Sequence, residues 1–334
     1  MSLRPVAGLL LLLLPLAVRA QGADTRMPSP STRFEFHSAM WMNLHHFLHA
    51  LSTVRTGGPN QRAAIARASS DTAGFGALPA ELRAGWEGAL AYYDTAMAPH
   101  DLLFDGRMYR IKRELARVGN APTVRGSTLD SAHGAALEAA APAYRALWWP
   151  RHDRANRDWL RDMAPVLERY EDTVATQVLR AYRTTWVPVR VDVSAYANWA
   201  GAYATEDPTH VVFASLIEAS RGSQGLESLF HEAMHGLEDS IVTSLERAAR
   251  ARRQEVPSRL SHAVLFFTAG EIVRRTVPDH TPYAERYGLW ERGGWAAYRA
   301  ALVEGWKPYL DGQSELDAAM DRVLGALVAR RTGS

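Results

Sequence analysis

Residues 231–235 read His231-Glu232-Ala233-Met234-His235. Two histidines at i and i+4 lie about 40° apart around a helix, so both rings can reach one metal ion. Neutral imidazoles suit zinc, and a catalytic zinc keeps one coordination position open for water. Glu232 need not touch the ion. Its carboxylate is placed to take a proton from an attacking water and deliver it to a leaving amine. The neighbouring residues speak against a core role for the two histidines. A helix over 224–245 has its apolar stripe at Leu226, Phe230, Ala233, Leu237 and Ile241. These cluster within about 60° of Phe230, whereas His231 and His235 stand about 100° and 140° away, flanking the stripe.

On these residues the stretch 206–276 resembles the zincin metallopeptidases. The similarity is to the gluzincin branch, which has HExxH on one helix and a glutamate ligand on a later one. The metzincin pattern HExxHxxGxxH is not met, because Glu238 and Ile241 occupy its glycine and last histidine positions. The resemblance covers about a fifth of the chain. It implies zinc as cofactor, His231 and His235 as ligands, Glu232 as general base, and a peptide or protein as substrate.

A catalytic zinc takes three protein ligands. The downstream candidates are Glu238, Asp239, His262 and Glu271. Glu238 shares the face of the two histidines but lies about 10 Å along the axis from His231, too far for a straight helix to bring all three to one ion. Glu238 and Asp239 therefore read as partners that hold an imidazole N–H. Glu271 projects from the apolar face of a helix over 258–276, with Leu260, Ala263, Val264 and Phe267. A carboxylate buried there must be paired or bound to a metal. Glu271 is the expected third ligand. His262 points roughly opposite to it in a regular helix, so the two do not serve one ion together.

Two weaker groups accompany this motif. His37, His45, His46 and His49 cluster in one segment, and His45 and His49 again stand at i and i+4. They read as ordinary helix histidines, with His37 a hydrogen-bonded core residue; a second metal site is the alternative. A donor near the substrate carbonyl is needed for the transition state. His280, Tyr283, Tyr287 and Tyr298 qualify by position, and nothing in the sequence ranks them. P-loop, GxGxxG and GxSxG motifs are absent.

The elements that must position these groups follow from periodicity. Helical patterns cover 36–54, 80–97, 101–118, 129–147 and 153–183. Alternating valines over 186–193 and the run His210–Ser215 read as strands, with 196–203 a further strand or loop. Helical patterns return at 224–250, 258–276, 294–305 and 314–331. The expected fold is mainly α: a zincin-like core with a small β-sheet at about 186–215 beside the HExxH helix, flanked by helical regions. The N-terminal helical region spans 34–185 and the catalytic region 186–334.

Composition sets the outer bounds. The chain has 334 residues, 47% hydrophobic and 22% charged, enough for a large globular core. Arg4 and a leucine-rich run before Ala20 read as an export signal, with cleavage before Gln21 and a flexible leader over 21–33. That signal carries two of the 38 basic residues and none of the 36 acidic ones, so the mature chain balances 36 against 36. A neutral chain does not hold nucleic acid by bulk charge. Cysteine is absent, which excludes disulfides, thiolate ligands and a cysteine nucleophile. The expected protein is an exported, zinc-dependent peptidase with no transmembrane segment once the signal is removed. A non-catalytic helical binding protein, and a zinc hydrolase of a non-peptide amide or ester, are the alternatives.

Overall fold

Four short segments build a sheet shared by the two hydrophobic cores of the molecule. They are β1 (Phe34–His37), β2 (Val189–Ser194), β3 (Ala202–Thr205) and β4 (His210–Ala214). A computed structural model of the chain describes residues 24–53, 74–206 and 208–332. The export signal expected over residues 1–20 lies outside the described residues. The strand order is β1-β2-β4-β3. β1, β2 and β4 run parallel, with Phe36 opposite Val191 and Val191 opposite Val211. β3 runs antiparallel to β4 and forms an edge. Side chains alternate across the strands, so the sheet serves two cores. Val191, Val193, Val211, Phe213, Ala202 and Ala204 face one core, and Tyr203, Val212 and Ala214 face the other.

The core on the Tyr203 side is built by α1 (Met40–Thr53), α2 (Ala80–Tyr92), α3 (Gly106–Val118) and α4 (Ser131–Leu147). The other core is built by six helices. They are α5 (Trp149–Tyr182), α6 (Gly222–Met234), α7 (Asp239–Ala251), α8 (Leu260–Thr276), α9 (Trp295–Ala301) and α10 (Leu316–Thr332). The architecture is therefore mainly helical with a small mixed sheet, as the sequence pattern implies. Asp105 and Asp130 start α3 and α4 by accepting backbone N–H groups of the first turn. No helix among the described residues is long and apolar enough to cross a membrane.

Two departures from the sequence pattern matter for the site. Residues 36–54 read as one helix, but Phe34–His37 is a strand and α1 begins at Met40. The alternation Phe34, Phe36 is only four residues long and merges with the apolar run that follows. This strand also ties down part of the expected leader: Thr25 Oγ1 bonds His37 Nδ1 at 2.8 Å, and Met27 is buried. The second departure is a break in the helix expected over 224–250. α6 stops at Met234, a 3₁₀ turn covers His235–Leu237, and α7 starts at Asp239. Gly236 sits at the break, where Thr209, from the turn between β3 and β4, occupies the space a Cβ would need. The HExxH helix is thus pinned directly against the end of the edge strand.

Candidate metal centre

The centre is built where α6 and α8 pass each other in opposite directions. Glu227 and His231 on α6 and His235 at the first position of the turn after it recur every four positions, and on α8 so do His262, Phe266 and Gly270. Residues at this spacing share one face of a helix. The two stripes meet rung by rung. Glu227 Oε1 lies 3.2 Å from where a Cβ of Gly270 would stand. The ring of His231 lies 4.1 Å from that of Phe266, and His235 lies 5.2 Å from His262.

The rungs bring three imidazoles together. The ring centroids of His231, His235 and His262 are each 5.2 Å from the other two. One nitrogen from each falls in a group whose members all lie within 4.8 Å. His231 Nε2 and His262 Nε2 are 3.2 Å apart. Ligands about 2.0–2.1 Å from a tetrahedral ion stand about 3.3–3.4 Å from each other, so this spacing fits. His231 is buried, and its Nδ1 has no hydrogen-bond partner. Burial lowers the pKa of all three rings, His231 well below its usual value, His235 to about 3 and His262 to about 4. Repulsion among the three adds to this for His231 and His235. They are therefore neutral at pH 7, the state a metal ligand needs. The donor set suits a zinc ion with one open position.

The third side chain at this place belongs to His262, not Glu271. Glu271 is buried, as its helix face requires, but Arg274 and Arg275 satisfy its carboxylate at 2.7 and 3.4 Å. The two residues stand on opposite sides of α8, and the His262 side is the one turned to α6. The expected alternative of pairing rather than metal binding is thus realised for Glu271. Two arginines at i+3 and i+4 were a signal of it in the sequence. Glu238, carried sideways by the break at Gly236, groups with Glu206 and His235 within 4.8 Å. Its pKa rises to about 7 through burial and the charges of Glu206 and Asp239. Asp239 is exposed. The N-terminal histidines are taken up elsewhere: His45 by Tyr93, His46 by Met42 and Tyr203, and His49 by the carbonyl of His100.

Glu232 lies near the edge strand, where the backbone N–H of Ala204 on β3 favours its charged form. Burial raises its pKa to about 8, against the pull of Lys112 and the Ala204 N–H. A carboxyl with a raised pKa is a competent proton carrier near neutrality, and a cation on the imidazoles would draw it back down. Lys112 reaches this region from α3, on the far side of the sheet. It is 1% exposed, donates to the carbonyl of His210 at 2.7 Å, and sits 4.6 Å over the ring of Tyr203. Burial lowers its pKa to about 7, opposed by Asp192 and Glu232. Asp192 itself is held well below the usual carboxylate range, because Arg190 and His210 outweigh the cost of burial. Sequence reasoning assigned Lys112 no role. Its one signal was its type: Lys112 and Lys307 are the only lysines among 38 basic residues. Lysine, unlike arginine, can lose its charge when buried.

An aromatic wall closes the α8 side. Phe266 lies tilted against His231 and His262, Tyr283 follows at 6.0 Å from Phe266, and Trp295 lies 6.2 Å from His262. Among the four donors the sequence left unranked, Tyr298 is spent on the carbonyl of Ser258, and His280 is enclosed by Ser223 and Glu227. Tyr283 is the candidate whose ring stacks on Phe266, the residue against His231 and His262. Burial chiefly, and then Tyr287, raise its pKa, so the phenol keeps its proton at pH 7. Comparison of the chain with protein-family models, with curated proteins and with solved structures finds no match.

Proposed function

We propose that this chain is a zinc-dependent hydrolase, most simply a peptidase acting outside the cytoplasm, with His231, His235 and His262 as ligands. The observation that carries this is the convergence of three neutral imidazole nitrogens beside a carboxylate near an edge strand. A structural site needs the imidazoles but has no use for Glu232. The broader zincin resemblance is kept, with His262 in place of the glutamate ligand of the gluzincin branch. Zinc, when bound, polarises the scissile carbonyl and makes its water more acidic.

Every other step falls to the chain. Glu232 accepts the proton of the attacking water on its carboxylate and passes it to the leaving amine. The N–H of Ala204 and the ammonium of Lys112 both favour the ionised form of that carboxylate, and a cation on the imidazoles would favour it further. Tyr283 donates a hydrogen bond from its phenolic O–H to the oxygen that becomes negative in the transition state. Phe266 and Trp295 exclude water from one side, which strengthens these interactions. The test is hydrolysis of a mixed peptide library by the zinc-loaded mature chain, beside its Glu232→Gln variant. Cleavage by the parent alone supports the proposal. Equal cleavage by both removes Glu232 from the mechanism.

A further inference from the structure

The HExxH helix carries a second buried carboxylate, one turn before His231, that the hydrolytic steps do not use. Glu227 is 1% exposed. Its Oε2 meets His280 Nε2 at 2.6 Å, and its two oxygens accept the backbone N–H of Tyr283 at 3.0 and 2.8 Å. The other nitrogen of His280 bonds Ser223 Oγ at 2.8 Å, and Gln224 Nε2 donates to the carbonyl of Thr281 at 2.5 Å. Three residues of the first two turns of α6 thus grip the segment 280–283. Gly270 makes room for the grip: a Cβ there would stand 2.7 Å from Pro282 and 3.2 Å from Glu227.

We infer that Glu227 is a positioning residue: through His280 and the Tyr283 amide it fixes Tyr283, whose ring stacks 6.0 Å from Phe266 beside the metal centre. This rests on the proposed hydrolytic role of Tyr283. The helix that supplies His231 and the base then also sets the place of the oxyanion donor. Ligand, base and donor are then tied to one helix, so the donor need not be reorganised at the moment of reaction. The same contacts have the connectivity of a Ser–His–Glu triad. The ring of His280 is 0% exposed, however, and the serine meets Nδ1 while the carboxylate takes Nε2. Ser223 therefore holds the imidazole rather than being activated by it.

The experiment compares the full mature chain with Glu227→Ala, Glu227→Gln, Ser223→Ala, Tyr283→Phe and the double variant Glu227→Ala/Tyr283→Phe. Zinc content, kcat, KM and exchange of the Tyr283 amide are measured on each. Tyr283→Phe should lower kcat ~10²–10³-fold, as loss of one oxyanion donor does. Glu227→Ala should lower kcat at least about tenfold with KM and zinc content unchanged, and speed exchange of the Tyr283 amide. Glu227→Gln, which still offers an acceptor to that amide, should recover most of both. In the Tyr283→Phe background, Glu227→Ala should add less than about threefold, because the two act on one interaction. Multiplying effects would overturn the proposal, as would loss of zinc in step with activity, which would mean that Glu227 acts on His231. Ser223→Ala more damaging than Glu227→Ala would also overturn it and restore the triad. If the zinc-loaded parent hydrolyses nothing, the functional proposal fails, and amide exchange still decides the clamp: equal rates in parent and Glu227→Ala refute it.

Discussion

His45 and His49 on α1 have the same i, i+4 spacing as His231 on α6 and His235 in the turn that follows it, yet the structure uses the two pairs differently. The ring centroids of the first pair are 6.3 Å apart, those of the second 5.2 Å and nearly perpendicular. In the α1 group the rings are spread over separate hydrogen bonds. His45 Nδ1 and His133 Nε2 share the hydroxyl of Tyr93, and His46 is bonded at both nitrogens. Around α6 the nitrogens turn to one point, and a third comes from α8. Among the described residues no three histidines of the α1 group come within ligand distance, whereas His231, His235 and His262 do. Spacing brings two rings to one face; a neighbouring helix decides whether they become a metal centre or a hydrogen-bonded core.

The largest effect expected from this contrast is on catalysis. Glu232→Gln should lose hydrolysis by ~10²–10⁴-fold while keeping zinc, since it removes the proton acceptor alone. His45→Gln should stay within about threefold of the parent, as the α1 histidines are assigned to packing. Initial rates on one peptide settle both, and a large loss in His45→Gln would erase the distinction between the clusters.

Next in size is the contact at the break in the HExxH helix. Gly236→Ala forces a methyl group onto Thr209 and should cost ~1–3 kcal/mol of stability, the usual range for overpacking. Denaturant unfolding would show it, and an unchanged midpoint would mean that α6 and the β3–β4 turn are not pressed together.

The smallest effect concerns pH and the α1 group itself. Burial lowers the pKa of His46 to about 3 and of His133 to about 4. Both are neutral in the fold, while the unfolded chain takes up their protons near pH 6.5. Their stabilising contribution is complete above that value and is lost as pH falls from 6.5 towards 4. Each such histidine contributes a slope of about 1.4 kcal/mol per pH unit within the window. His46→Gln should flatten the slope by that amount in unfolding measured at pH 7, 6 and 5 with chelator present. An unchanged slope would place the His46 ring in water.

Much of this was legible in the chain because the signals are local. The HExxH spacing, the strands β2 and β4, and the opposition of His262 and Glu271 on one helix all follow from periods of 2 and 3.6. What could not be read was which side of α8 would face α6, because that depends on packing between distant segments. Even so, Arg274 and Arg275 beside Glu271, and the stripe His262, Phe266, Gly270 matching Glu227, His231, His235, were present as clues. The strand β1 was hidden by its brevity. The burial of Lys112 under β3 depends on a helix about a hundred residues earlier in the chain.

Zinc content after exhaustive dialysis tests the central claim most directly, measured on the parent and on His262→Ala, Glu271→Ala and His45→Ala. The parent, Glu271→Ala and His45→Ala should each retain about one zinc per chain, and His262→Ala should retain almost none, having lost one of three protein ligands. Retention by His262→Ala together with loss in Glu271→Ala would contradict the centre described here and return the third position to the glutamate.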